Sequence, residues 1–322
     1  MQLFLYNIKK ITPGLSLVVI ITFSALLISN FLYIGSILVS ILLGFLVNNF
    51  FNIKEIFKQG IDFSEKHLLN IAIICMGVNF NNSIISKIDF QIFFNILLFV
   101  LIGFFITLLI CKLFNVPKGL SYLLAFGNSI CGSSAIIAAS SIVKSKKQDV
   151  ILSVSIINII GSLAIILLPP ILFFFSDNDF EQGQIIGGTI QAVGQVSAAG
   201  YIINDNVGQA AVLIKMSRIL FLVPSLIILS LINSFNRQSN FFQFPLFIVG
   251  FLIMFLMNYF SILPFYIIEY LKIVSKYFLL FSMTSLGLKV SINSYFNSGI
   301  RVFLISFLAF IIQVFIVIQI VT

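Results

Sequence analysis

Gly127-Asn128-Ser129-Ile130-Cys131-Gly132-Ser133-Ser134 sits in the middle of an otherwise apolar run covering residues 119–143. Such a run is long enough to cross the hydrocarbon core of a bilayer as a helix, which takes about 20 residues. Its centre nevertheless concentrates glycine with small hydroxyl and amide side chains. Each glycine weakens a helix by roughly 1 kcal/mol relative to alanine. Neighbouring polar side chains can satisfy backbone groups freed by unwinding, so the stretch predicts a helix break. Unwound backbone at that depth is tolerated only where protein or a water-filled cavity surrounds it. A packing face of small residues is the competing reading, since Gly, Ala and Ser also let helices approach closely.

A second stretch favours the break. Gly187-Gly188-Thr189-Ile190-Gln191-Ala192-Val193-Gly194-Gln195 has the same character and aligns with the first at an offset of 60 residues. Gly127, Ile130, Ala138, Ala139 and Ile142 fall on Gly187, Ile190, Ala198, Ala199 and Ile202, and Ser129 falls on Thr189. A weaker echo, at an offset of 210, relates His67–Asp89 to Tyr277–Gly299 and puts Gly77 over Gly287. Two unequal offsets are not what a simple tandem duplication leaves. Internal repeats with paired discontinuous helices are a signature of secondary transporters.

Outward from these stretches the chain stays apolar to both ends. Of its 322 residues 60% are hydrophobic and 9% charged, with a mean hydropathy of +1.17. Soluble domains carry about a quarter charged residues, so lipid must solvate most of this surface. The expected fold is an all-α polytopic membrane bundle of about eleven segments. They lie near 14–30, 33–51, 63–80, 90–114, 119–143, 148–175, 184–204, 207–234, 241–260, 265–290 and 299–321. We expect one transmembrane domain over 1–322, with approximate halves 1–180 and 181–322 divided near Asp177, Asp179 and Glu181.

The net charge of +8 is scattered over short connections. That pattern fits membrane topology and excludes the basic stripe of a nucleic-acid binder. Lys9, Lys10, Lys54, Lys58, Lys66, Lys112 and Lys118 fall on one side, which places the N-terminus inside. Lys144, Lys146 and Lys147 oppose that assignment. No cleavable signal peptide is expected, because Lys9 and Lys10 precede an apolar segment that runs at once into another. The expected location is a bacterial cell membrane, with a homo-oligomer left open as the assembly. Cys75, Cys111 and Cys131 lie in apolar stretches with neither disulfide nor zinc spacing.

At these residues the chain resembles the YeiH-type membrane proteins of the UPF0324 family, which carry the label of sulfate exporters. The likeness covers Pro13-Gly14-Leu15, Ile41-Leu42-Leu43-Gly44, Gly60-Ile61-Asp62-Phe63-Ser64 and Gly127–Ser134. It continues through Gln195–Gly200, Lys215-Met216-Ser217-Arg218 and Leu286–Ser291. Asn70–Pro170 is also similar to the core half of bile-acid-symporter-type proteins, which have a panel domain, a core domain and two crossing broken helices. The resemblance implies a transporter and makes sulfate the leading substrate. One departure matters: Gln191 and Ala192 stand where the family has a His-Glu pair, which puts proton coupling through that pair in doubt here.

An anion site at the breaks would use helix N-termini with neutral donors from Asn128, Ser129, Ser133, Ser134, Thr189, Gln191 and Gln195. Cys131 and Gly132 belong to the same stretch. Lys215 and Arg218, three apart and so on one helix face, are expected to add positive potential, or else to snorkel towards an interface. Lys289, near a span end, reads as a topological anchor. No Asp or Glu occupies a span centre, which argues against a cation antiporter. We expect no catalytic residue, cofactor or metal. His67 is alone, Cys131 has no neighbouring base, and no nucleotide or metal motif appears. The expected function is secondary transport of a small anion, with the lipid bilayer as the other partner. An anion channel and a membrane enzyme are the alternatives.

Overall fold

The computed structural model describes residues 2–32, 36–51, 54–79, 90–140, 142–143, 145–232, 246–289 and 299–322. Asp89, Lys144 and the Val290-Ser291 end of one resembling stretch lie outside the described residues. Every described element is helical, and no strand occurs among the described residues. In chain order the α-helices are α1 (Gln2–Leu32), α2 (Ser36–Phe51), α3 (Glu55–Phe63), α4 (Leu69–Met76) and α5 (Phe90–Leu113). There follow α6 (Lys118–Phe126), α7 (Ser133–Ser140), α8 (Lys147–Leu172), α9 (Asp179–Thr189) and α10 (Val193–Ile203). The last are α11 (Asp205–Leu220), α12 (Leu222–Ile232), α13 (Leu246–Tyr259), α14 (Phe265–Lys289) and α15 (Ile300–Val321).

Among the described residues six helical stretches are long and apolar enough to cross a membrane: Lys10–Ser29, Phe90–Leu113, Lys147–Leu172, Asp205–Leu231, Phe265–Lys289 and Ile300–Val321. Ser36–Phe51, Val193–Ile203 and Phe247–Tyr259 are shorter apolar helices. Polar residues between the apolar runs act as helix starts. Asn178 accepts from the Phe180 N–H and Asn204 from the Val207 N–H, while Asp179, Glu181 and Asp205 occupy first turns. Side-chain oxygens there satisfy N–H groups that have no partner within the helix. The Asn204 and Asn206 amides also donate to Asp179, at 2.8 and 3.0 Å, tying the starts of α9 and α11 together.

The chain divides into two compact units, Met1–Ile85 with Pro245–Ser294 and Ser86–Phe244 with Tyr295–Thr322. In the first unit the glycine-bearing stretches are crossing points. A Cβ on Gly14 would sit 2.1 Å from the Phe57 carbonyl oxygen, and one on Gly60 would sit 2.3 Å from that of Ile11. Likewise Gly287 meets the Ile41 carbonyl at 2.2 Å and Gly77 meets that of Phe251 at 2.6 Å. These last two contacts are equivalent. Gly77 and Gly287 are 210 residues apart, and so are Ile41 and Phe251.

Whole elements follow the same offsets. Ser36, Glu55 and Phe90 begin α2, α3 and α5, while Leu246, Phe265 and Ile300 begin α13, α14 and α15, each 210 residues later. Ser133 and Val193 begin α7 and α10, 60 apart, and Leu172 and Ile232 end α8 and α12, also 60 apart. The second repeat therefore has its two parts exchanged in chain order. A circularly permuted copy accounts for both offsets, where a tandem copy would leave one.

Candidate functional site

Two helix interruptions in the second unit fall on the glycine-bearing stretches. After α6 the backbone opens into a wide turn over Gly127–Cys131, closed by a 3.0 Å bond from the Gly132 N–H to the Gly127 carbonyl. Gly132 then takes φ 70° and ψ −128°, a conformation that essentially only glycine adopts without strain. The helix resumes at Ser133. In the other interruption α9 ends at Thr189, Ile190 and Ala192 are extended at ψ 145°, and α10 starts at Val193. Both breaks strand backbone carbonyls, which bear the negative end of a helix dipole.

Lys215 and Arg218 of α11 satisfy those carbonyls. Both side chains are fully buried. Lys215 Nζ donates to the Ile130 carbonyl at 2.6 Å and to that of Ile190 at 2.7 Å. These two acceptors are equivalent residues of the repeat, 60 apart. Arg218 Nε donates to the Ser129 carbonyl at 2.8 Å and Nη2 to that of Asn128 at 2.9 Å. Its Nη1 reaches the Gly187 carbonyl at 3.0 Å and that of Ile190 at 3.3 Å. Burying a cation costs several kcal/mol. Charge-assisted hydrogen bonds return about 1.5–3 kcal/mol each, so this many on two side chains offset the cost. The helix carrying them stops just beyond Arg218. Pro224 lacks an N–H and crowds the preceding turn, so α11 gives way to α12 at Phe221.

This arrangement corrects the snorkelling alternative: both cations end on buried backbone carbonyls. It also limits what they can offer a ligand. A lysine has three N–H donors and an arginine five; two and four of these bond to carbonyls. The remaining polar residues divide in the same way. Thr107 Oγ1 donates to the Gly103 carbonyl at 2.7 Å and accepts from Asn128 Nδ2 at 3.0 Å. Asn128 Oδ1 in turn accepts from Gln191 Nε2 at 2.7 Å, a direct link between the two breaks. Gly132 lies beside Gln191 as well, since a Cβ there would sit 3.6 Å from that of Gln191. Gln195 accepts from the Ala192 N–H at 3.2 Å and donates to the Asn158 carbonyl at 3.1 Å. Thr189 spends its hydroxyl hydrogen on the Ile185 carbonyl, at 2.6 Å.

Gln191 Oε1 and Ser129 Oγ are buried without a hydrogen-bond partner. Cys131 is buried, Ser133 half-buried and Ser134 exposed. Thr107, Asn158 and Gln313 escaped the sequence reading. Gln313 was legible in principle: it is 210 residues from Gly103 and packs on it, where a Cβ would sit 2.8 Å from its Nε2. Thr107 is one hydroxyl in an apolar helix that also holds Gln91 and Asn95, a weak signal.

In the first unit, Lys289 is more than an anchor. It pairs with Asp62 at 2.9 Å and Glu65 at 2.5 Å, joining the end of α14 to the α3–α4 region.

The family described as Conserved hypothetical protein 698 matches residues 13–306. A UPF0324 membrane protein of Clostridium perfringens is 31% identical over 303 residues, covering 90% of this chain and 89% of the relative. One from Brucella melitensis is 31% identical over 317 residues, covering 95% and 88%. One from Agrobacterium fabrum is 27% identical over 314 residues, covering 94% and 90%. No solved structure matches the chain. Long apolar helices and full-length membrane-protein relatives agree, and the chain belongs to the UPF0324 family of multi-pass membrane proteins.

Proposed function

We propose that this protein is a secondary carrier of a small anion, with the two interrupted helices as its translocation centre. The supporting observation is the charge balance there. Two half-helix C-termini contribute about −0.5 elementary charge each. Lys215 and Arg218 outweigh them by about one unit, before the N-termini of α7 and α10 add their own positive ends. Among the described residues no carboxylate pairs with either cation. An anion is stabilised in such a field and a metal cation is repelled. Ser133 and Ser134 at the start of α7, with Gly132 before them and Gln191 beside Gly132, are the groups we assign to the ligand.

On this reading the interrupted helices are two of about eleven crossings. The unit that holds both is the counterpart of the core domain in bile-acid-symporter-type carriers, and the other unit is the panel. Sulfate is the leading substrate on the strength of the resemblance; helix ends select charge sign and do not separate sulfate from a compact carboxylate. Purified protein in liposomes, offered labelled sulfate, sulfite, thiosulfate and small organic anions, tests the proposal. Saturable uptake stimulated by anion inside the vesicle supports a carrier. Unitary currents would replace it with a channel, and transport of cations alone would overturn it.

A further inference from the structure

We propose that the Lys215 ammonium is a tethered cation filling a carbonyl-lined site for a monovalent cation, so that the anion moves without a co-transported sodium ion or proton. The inference rests on the carrier reading above and assigns its coupling. Carriers with discontinuous helices coordinate sodium or protons with the carbonyls of unwound backbone. Here the two equivalent carbonyls, Ile130 and Ile190, converge on one Nζ at 2.6 and 2.7 Å. A mobile cation would have to displace a covalently held one whose entropy of capture is already spent.

The surroundings agree. The acidic residues described in this unit, Asp149, Asp177, Asp179, Glu181 and Asp205, lie in first turns of helices or in the connection before α9. A proton or sodium ion brought to the breaks would meet no carboxylate among the described residues. The charge also comes from one repeat only. At the 60-residue offset Lys215 corresponds to Ser155 and Arg218 to Asn158, and the Ser155 hydroxyl turns back to the Ile151 carbonyl at 2.9 Å. Both repeats contribute carbonyls to Lys215, but the first repeat contributes no cation from the equivalent position. One lysine therefore does for both breaks what a bound ion would otherwise do.

Truncating the side chain should convert the tethered site into an open one. Purified Lys215→Ala is melted in detergent in choline chloride, then in sodium chloride or n-propylammonium chloride, with no transported anion added. We expect a melting temperature roughly 10 °C below wild type in choline, with a saturable recovery in propylammonium or sodium that the wild type does not show. A variant as stable as wild type in choline overturns the proposal, as does a destabilised variant indifferent to both cations. Lys215→Ser, equally short, stands in if the alanine variant cannot be purified, with the same loss and the same recovery expected. Wild-type uptake in liposomes should be unchanged when sodium or pH gradients are imposed or removed; uptake that requires either gradient overturns the coupling. If no anion is taken up at all, the carrier reading fails, while the melting arm still decides whether Lys215 fills a cation site.

Discussion

Replacing Arg218 by methionine removes the guanidinium while keeping most of the side-chain volume, so the change isolates hydrogen bonding from packing. Arg218 bonds four buried carbonyls, those of Asn128, Ser129, Gly187 and Ile190. Ile190 keeps Lys215 as a partner, which leaves three carbonyls without the arginine. A buried acceptor that loses its partner costs about 1–3 kcal/mol. Relaxation and water entry favour the low end, giving a loss of about 3–5 kcal/mol. That compares with a total stability of about 5–15 kcal/mol for many folded proteins. Arg218→Lys should recover part of the loss, because it restores charge without the planar fork that reaches several acceptors at once. Since Arg218 and Lys215 share the Ile190 carbonyl, Arg218→Met and Lys215→Met should be non-additive by about 1 kcal/mol. Unfolding from mixed micelles by titration with a denaturing detergent reads all of these. If Arg218→Met unfolds within about 1 kcal/mol of wild type, the two breaks are not held together by this residue and the argument fails.

Three further outcomes are expected. Gly132→Ala has space, with the nearest atoms 3.6–3.7 Å away, so its cost is backbone strain of about 1–3 kcal/mol; Gly132→Leu should abolish anion uptake while the protein still inserts, and full uptake by that variant would remove this residue from the site. Gly287→Ala drives a Cβ to 2.2 Å from the Ile41 backbone and should lower the melting temperature clearly. Gly103→Ala meets only the flexible amide end of Gln313 and should cost less, so equal melting temperatures would contradict the packing account. Lys289→Met should cost no more than about 1 kcal/mol, because its partners Asp62 and Glu65 are partly solvated and the pair is screened; a larger loss, measured in the same melts, would mean the ion pair is more than a surface contact.

Much of the candidate site could be read from residue order. Glycine with small polar residues inside an apolar run marked both interruptions, and the 60-residue offset aligned the helix starts at Ser133 and Val193. Apolar run length placed the long helices to within a few residues, except that α1 starts at Gln2, well before residue 14. These features are legible because they depend on local propensity and on the thickness of a bilayer, both of which act on neighbouring residues. The roles of Lys215 and Arg218 were not legible in this way. A basic residue in an apolar helix has the same sequence signature whether it binds an anion, snorkels or caps a backbone.

Sequence by itself therefore determined the helices, their membrane character and the two breaks. It also held both repeat offsets, but without their meaning: the exchange in chain order emerges only when α2 is matched to α13 and α5 to α15 as folded elements. Tertiary structure alone decided that the breaks meet through Asn128 and Gln191, 63 residues apart, and that one helix satisfies the carbonyls of both. The physical reason is that a stranded carbonyl is a local consequence of unwinding, whereas the donor that satisfies it comes from whichever element folds against it.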